Sequence, residues 1–163
     1  MNTFLVALWM SLASAAIPTK TTAPKPQKLL AGQGAVTGGL AGAGFSLVNV
    51  TLAKTQKKER VVIDLGDIKG APVRGYPTYY HAELQNSPRR LVIDFSQTAT
   101  VFIDEKELRQ RLKGSTAIAG SSFVLDPTDQ TLSLILDLKK NVKAQIFQVP
   151  GQKGTSRVVV DLL

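Results

Sequence analysis

The chain contains no cysteine and a single histidine among its 163 residues. The absence of cysteine excludes a disulfide framework, a thiolate nucleophile and a lipid-modified cysteine anchor. With His81 alone, a zinc site built on several histidines is excluded too. Glu83 is the one candidate ligand beside it, and two ligands do not hold a catalytic metal. The sequence therefore predicts no catalytic residue, no metal site and no cofactor.

Acidic residues are also scarce, with twelve against twenty basic ones, which gives a formal net charge of +8. A basic chain favours an anionic partner such as nucleic acid, an acidic lipid or an acidic polymer. Hydrophobic residues make up 44% of the chain and charged residues 20%. This length and composition suit one domain with a single core.

The N-terminal segment "MNTFLVALWMSLASAA" has the features of an export signal. Its short apolar run leads into Ser14 and Ala16, which fit the small-x-small pattern of signal-peptide cleavage. We therefore predict a signal peptide over 1–16 and a periplasmic location in a bacterial cell envelope. An uncleaved membrane anchor is the alternative, because the segment lacks Lys and Arg. Export argues against nucleic acid as the partner and limits membrane contact to an uncleaved N terminus.

Residues 17–43 are rich in Pro, Thr, Lys, Ala and Gly and contain few large apolar side chains. Burial in such a segment does not offset the entropy of ordering it, so we predict a flexible linker. Gly34, Gly38 and Gly42 recur every four residues in an uncharged stretch, and membrane insertion is the alternative. The globular domain is then expected over 44–163, which is basic in its own right.

One phrase, an Arg followed by three aliphatic residues and an Asp, occurs three times in this domain. It stands in "RVVIDL" at 60–65, "RLVIDF" at 90–95 and "RVVVDL" at 157–162, with a degenerate copy "SLILDL" at 133–138. A period of two sends alternate aliphatic residues of each copy to one side and the Arg and Asp to the other. We therefore predict four strands, each with an apolar inner face and an outer face that mixes charged and aliphatic residues.

The intervals between these phrases predict the rest of the architecture. "TYYHAEL" and "KAQIFQV" add one strand to each half, and "FSLVNVTLA" and "STAIAGSSFVLD" precede them. Within "FSLVNVTLA", alternation predicts Leu47 and Val50 on opposite faces. Halves of about four strands each predict an all-β fold, a sandwich of two small antiparallel sheets related by a pseudo-twofold axis.

"IDEKELRQRLKG" is the one predicted helix. Asp104 and Glu107 form a capping-box pattern, and Leu108 and Leu112 share one face. Because that face is apolar and the opposite one is charged, we expect the helix to cover an opening of the sandwich.

The repeated phrase, with "NSPRRLVIDF" and the closing "SRVVVDL", resembles the AMIN domain. That family occurs at the N terminus of exported N-acetylmuramoyl-L-alanine amidases and in the periplasmic part of type IV pilus secretins. The resemblance covers residues 45–163. It implies a sandwich of two small sheets that binds peptidoglycan and directs attached enzymes or pores to the cell wall. Since no amidase or secretin sequence follows the domain, it implies a stand-alone, non-catalytic member.

The predicted ligand-binding residues are the charged ends of the repeated phrase and a nearby group of tyrosines. They are Arg60, Asp64, Arg90, Asp94, Arg157, Asp161, Tyr76, Tyr79 and Tyr80. The arginines are expected to bind stem-peptide carboxylates and the tyrosines to stack on sugar rings. The alternatives are cross-strand Arg–Asp pairing that fixes register and packing of the tyrosines in the core.

A second function class stays open, that of an adaptor. In it, an exposed sheet edge, or the outer face that mixes Val and Arg, docks an envelope protein, for example of a secretion or pilus assembly. Binding to acidic lipid or nucleic acid is a third reading, but the chain has no stacking motif or basic helix to support it.

Overall fold

The structure is a computed structural model that describes residues 29–42, 44–151 and 154–163. The predicted signal peptide, and the predicted linker up to residue 28, lie outside the described residues. Within them the chain forms eleven strands and one helix, and the strands build two packed sheets. The prediction of an all-β sandwich with one short helix is confirmed.

The strands are numbered in chain order. They are β1 (Leu29–Ala31), β2 (Gly34–Gly38), β3 (Phe45–Lys54), β4 (Glu59–Asp67), β5 (Tyr80–Asn86), β6 (Arg89–Phe95), β7 (Thr100–Val101), β8 (Ile118–Asp126), β9 (Thr131–Leu138), β10 (Lys143–Val149) and β11 (Ser156–Leu162). Sheet A has the order β1-β10-β11-β4-β3-β7 and sheet B the order β2-β5-β6-β9-β8. Neighbouring strands are antiparallel, apart from the parallel pair of β3 and β7.

Each sheet takes two strands from each half of the domain. Strands β3 and β4 of the first half join β10 and β11 of the second in sheet A, while β5 and β6 join β8 and β9 in sheet B. If β3 to β6 are exchanged in order with β8 to β11, the strand order of one sheet becomes that of the other. The topology therefore has the pseudo-twofold symmetry that the repeated phrase predicts.

The repeated phrases supply the centre of both sheets and most of the core. Their inward residues are at most 6% exposed: Val61, Ile63, Leu65, Leu91, Ile93, Phe95, Leu134, Leu136, Leu138, Val158, Val160 and Leu162. Burying one such side chain is worth about 1.5–3 kcal/mol relative to leaving it in water. The inner faces predicted from the period of two are confirmed.

Strand β3 departs from the predicted alternation. Its register on β4 shifts between Leu47 and Asn49, which marks a β-bulge. An extra residue at a bulge reverses which side chains face inward. As a result Leu47 and Val50 are both fully buried, and their predicted placement on opposite faces is wrong.

The linker prediction is wrong for residues 29–38, which form β1 and β2. Strand β1 pairs with β10 and β2 pairs with β5, so each sheet gains an edge strand. Leu30 enters the core and is 2% exposed. Few apolar side chains are needed here, because the sheet edges offer unpaired N–H and C=O groups for main-chain hydrogen bonds. The folded domain includes Leu29 onward and does not begin at 44.

The helix α1 (Glu105–Leu112) forms where it was predicted and buries Leu108 and Leu112. Asp104 caps it, since its carboxylate accepts a hydrogen bond from the Glu107 amide at 2.7 Å and the Glu107 carboxylate accepts one from the Asp104 amide at 3.2 Å. The helix contacts β3 and β8, whereas β1 and β2 lie together at the opposite edges of the two sheets. It therefore covers the opening between the sheets on one side of the sandwich.

Candidate functional site

The predicted Arg and Asp residues lie on the two outer faces of the sandwich. Four of them are brought together on face A, the outward side chains of β4, β10 and β11 in sheet A: Arg60, Asp64, Arg157 and Asp161. The other two lie on face B, the outward side chains of β5, β6 and β9 in sheet B: Arg90 and Asp94. Because the sheets pack inner face to inner face, the two groups point to opposite sides of the domain.

On face A, Asp161 is shared by two cations. Its carboxylate accepts hydrogen bonds from Arg60 Nε at 2.6 Å and Nη2 at 2.8 Å, and from Lys58 Nζ at 2.6 Å. The residue was predicted to face solvent, yet it is only 2% exposed. Burial acts to raise the pKa of Asp161, but the hydrogen bonds from Arg60 and Lys58 outweigh it and the net pKa is lowered. Asp161 is thus an ionised carboxylate whose partners belong to the domain itself.

The second ion pair of face A joins Arg157 to Asp64. Arg157 Nε donates to Asp64 Oδ1 at 2.7 Å, and Thr155 Oγ1 donates to the same oxygen at 3.1 Å. Arg157 and Asp64 are direct partners in the β11–β4 register, as are Asp161 and Arg60. The pairs therefore connect one half of the domain to the other and fix the register of the central strands.

An aliphatic and aromatic row separates the two ion pairs of face A. Val159 stands opposite Val62 on β4 and opposite Phe147 on β10. The Arg60 guanidinium lies 5.3 Å from the centre of the Phe147 ring, within the range of a cation–π contact. Val159 is consequently 4% exposed, although it points outward. Face A satisfies most of its charges and covers its own apolar centre.

On face B, fewer of the charged side chains are paired with one another than on face A. Arg90 stands opposite Asp137 in the β6–β9 register, but no hydrogen bond or ion pair joins them, and Arg90 Nε has no hydrogen-bond partner among the described residues. Asp94 accepts a hydrogen bond from Ser133 Oγ at 2.5 Å and has His81 as its neighbour on β5. Because Arg90 Nε is buried, the donors that Arg90 offers to a ligand are its terminal Nη groups, which form no ion pair among the described residues.

The middle of face B is aliphatic and only partly covered. Val92 and Ile135 are direct partners across β6 and β9 and are both half-buried. Glu83 adjoins Val92 on β5. The face thus presents an apolar strip with one guanidinium and several carboxylates around it.

The three predicted tyrosines separate in the structure. Tyr76 and Tyr79 are 46% and 40% exposed in the segment before β5. Alternation places Tyr79 on the same side as His81, so it extends face B. Tyr80 is fully buried, with its ring 6.4 Å from that of Phe95. The prediction that Tyr80 stacks on a ligand is wrong, because the inward position at the start of β5 places it in the core.

Sequence reasoning missed Lys58 and Phe147, which complete face A. Both could have been found from the period of two. Lys58 stands two residues before Arg60, and Phe147 lies on the alternating strand that precedes the last copy of the phrase. No sequence pattern predicted which Arg pairs with which Asp: Arg60 and Asp161 are 101 residues apart in sequence, and sheet topology makes them partners.

Within 29–42, 44–151 and 154–163, no group of three or more His, Cys, Asp or Glu residues is arranged to hold a metal ion. The same residues contain no helix that is long and apolar enough to cross a membrane. No protein-family model matches the chain, and no curated protein matches it either.

Proposed function

We propose that this chain is a non-catalytic peptidoglycan-binding domain of an exported, periplasmic protein, and that face B is its binding surface. The resemblance of the repeated phrase to the AMIN domain motivates the ligand class. The observation that carries the choice of face is the Arg90 side chain: its Nε is buried without a hydrogen-bond partner, and no ion pair of the described residues includes its guanidinium. The arginines of face A, by contrast, are bound to Asp64 and Asp161.

The chemistry of face B matches the two parts of peptidoglycan. A guanidinium forms bidentate hydrogen bonds with carboxylates, which the stem peptides carry. The strip of Val92 and Ile135, with the exposed ring of Tyr79 beside it, suits the apolar faces of sugar rings. Asp94 and Glu83 supply acceptors for sugar hydroxyl groups.

Co-sedimentation with isolated sacculi tests the proposal. The chain starting at residue 17 is mixed with intact sacculi across a salt series, and sacculi digested with lysozyme serve as the control. We expect saturable pelleting that weakens with salt, because part of the attraction is ionic, and that disappears after digestion. Absence of pelleting at low salt would contradict peptidoglycan binding.

A matched pair of variants tests the choice of face. Arg90→Gln removes one positive charge from face B and Arg157→Gln removes one from face A. We expect Arg90→Gln to weaken sacculus binding about tenfold, equivalent to about 1.4 kcal/mol, while Arg157→Gln stays close to the unmodified chain. Equal losses in the two variants would show that net charge, and not face B, determines binding.

The adaptor function remains the second candidate because of strand β8. It is an edge strand of sheet B, and near its end Val124 and Leu125 are 52% and 44% exposed. Such an edge accepts an added strand from an envelope protein, for example of a secretion or pilus assembly. A pulldown from envelope extract separates the candidates, because a stoichiometric protein partner that survives wall digestion favours the adaptor.

A further inference from the structure

A cleft of about 310 Å³ opens at the end of the sandwich where β3 turns into β4. Three connections meet there: the turn over 55–58, the segment 114–117 after the helix, and the loop 139–142 between β9 and β10. Four lysines line it: Lys54, Lys57, Lys58 and Lys140. Its apolar part consists of Ala117, Val142 and Leu162, each at most 5% exposed, and of Leu163, which is 47% exposed.

The charges of the cleft do not cancel. Glu59 is the acidic side chain in its described lining, and it is buried under hydrogen bonds from residues 115–117. Lys54 lies 3.7 Å from Glu59, and Lys58 is bound to Asp161 on face A. Lys57 and Lys140 have neither an ion pair nor a hydrogen bond with a side chain among the described residues. Lys57 and Lys140 are therefore two cations at the cleft that no acidic side chain of its described lining neutralises.

Outside the cleft, further positive charge lies at the cleft end of the domain, and several carboxylates lie at the opposite end. Connections at the cleft end carry further lysines: Lys113, Lys139 and Lys143. At the opposite end Asp67 and Asp126 close β4 and β8 and Asp129 stands in the turn before β9, while the segment after β4 adds two cations, Lys69 and Arg74. An anion approaching the domain is thus drawn toward the cleft, since fields from like charges add in a concave site.

We infer that this cleft binds a phosphate group, carried by a soluble phosphate ester or by a lipid headgroup. Lysine is a common phosphate ligand and binds as a compact point charge, whereas arginine binds carboxylates and phosphates alike through a bidentate fork. The cleft is lined by lysines without an arginine in its described lining, while the carboxylates of face A are bound by Arg60 and Arg157. The volume falls at the lower end of small-ligand sites, which span about 300–1,000 Å³.

The inference is independent of peptidoglycan binding, because the cleft shares no residue with face B. Sacculus binding that depends on Arg90 is compatible with phosphate binding at the cleft and with its absence. Phosphate binding at the cleft is likewise compatible with a failure of the wall-binding proposal.

Titration of the ¹⁵N-labelled full chain with inorganic phosphate at constant ionic strength tests the site. We expect saturable amide shifts concentrated at Lys57, Thr116 and Lys140. The double variant Lys57→Gln/Lys140→Gln should bind phosphate about tenfold more weakly. Shifts distributed over all surface lysines, or unchanged affinity in this variant, would overturn the proposal.

The matched control is Lys69→Gln/Lys106→Gln, which removes the same charge away from the cleft. It should retain phosphate affinity within about twofold of the unmodified chain, a difference of about 0.4 kcal/mol. Equal weakening in both double variants would also overturn the proposal. Thermal unfolding of each variant shows whether the fold is intact.

Vesicles distinguish the two sources of the phosphate. Phosphatidylcholine vesicles with and without phosphatidylglycerol are sedimented with the full chain. Pelleting that requires phosphatidylglycerol and is lost in the cleft variant assigns the site to a lipid headgroup. A saturable phosphate titration without pelleting assigns it to a soluble ester, and failure of both experiments rejects the site.

Discussion

Glu59 shows how one buried carboxylate can organise a loop. It accepts hydrogen bonds from the Ser115 hydroxyl, from the Thr116 amide at 2.7 Å and hydroxyl at 2.9 Å, and from the Ala117 amide at 3.3 Å. Burial alone would raise the pKa of Glu59, but these hydrogen bonds outweigh it and lower the pKa to about 2 from an ordinary value of 4.5. The hydrogen bonds that Glu59 accepts from the loop after the helix are therefore strongest while Glu59 is ionised.

This pKa predicts how stability depends on pH. Because the folded-state pKa of Glu59 is depressed, its contribution is present above pH 4.5 and is lost as the pH falls toward 2. The shift corresponds to about 3 kcal/mol of unfolding free energy. We expect Glu59→Gln to lower that free energy by a similar amount at neutral pH and to flatten its dependence between these pH values. Urea unfolding across pH measures both quantities, and an unchanged acid slope in the variant would contradict the assignment.

The two ion pairs of face A differ in burial, and this difference is testable. The Asp161 side chain is 3% exposed and that of Asp64 is 15% exposed. Removing the charge of a buried, shared carboxylate leaves its cations unpaired. We expect Asp161→Asn to cost about 2–3 kcal/mol of unfolding free energy and Asp64→Asn about 1 kcal/mol or less. Urea unfolding of the two variants decides this, and equal losses would count against the argument.

At the scale of elements, the capping box of α1 determines where the helix starts. Replacing Asp104 with Ala removes the acceptor for the Glu107 amide. We expect a loss of about 1 kcal/mol in unfolding free energy. Lys106→Ala changes a residue in the first turn of the helix but keeps the cap, and it serves as the control in the same urea measurement. A variant without Asp104 that is as stable as this control would show that packing alone sets the helix start.

The strands that sequence could predict are those that bury alternate side chains. The phrase at 60–65 can be recognised as a strand because its buried side chains recur at every second residue, as they do in a half-buried strand. Strands β1 and β2 lacked that signal, since main-chain pairing at a sheet edge asks little of the side chains. The two-residue strand β7 is set by its parallel pairing with β3, which no local pattern encodes.

The sequence predicted which types of residue lie on the outer faces, but it did not predict which of them are in contact. The alternation correctly placed Arg60 and Asp161 on outer faces, but their partnership depends on which strands are neighbours. The lysines of the cleft come from separate connections, and so only the folded chain brings Lys57 and Lys140 to one place. For Tyr80 the prediction of an exposed ring was wrong. Neighbouring residues of a strand alternate between faces, so Tyr79 is exposed and Tyr80 is buried.

For the whole molecule, the exchange of strands between halves predicts that neither half folds as a monomer alone. Fragment 29–103 contributes β3 and β4 to sheet A and β5 and β6 to sheet B, and fragment 104–163 supplies the central neighbours of both pairs. Each fragment alone would expose the apolar inner faces that the other covers. We expect disordered circular dichroism spectra for the separate fragments and a β-sheet spectrum after mixing. A folded monomer of either fragment would contradict the intertwined topology.

The edge strands also affect how readily copies of this domain associate through their sheet edges. Sheet A ends in β1 and β7, which have three and two residues, and strands this short offer little template for a second chain. In sheet B, β2 carries glycine at both ends, and α1 packs against β8 but leaves Val124 and Leu125 near the end of that strand exposed. A protein that begins at residue 44 would lose β1 and β2, which pair with three residues of β10 and five of β5, and both of these seven-residue strands would become sheet edges along their whole length. We therefore expect a protein that begins at residue 44 to aggregate more readily than one that begins at residue 29.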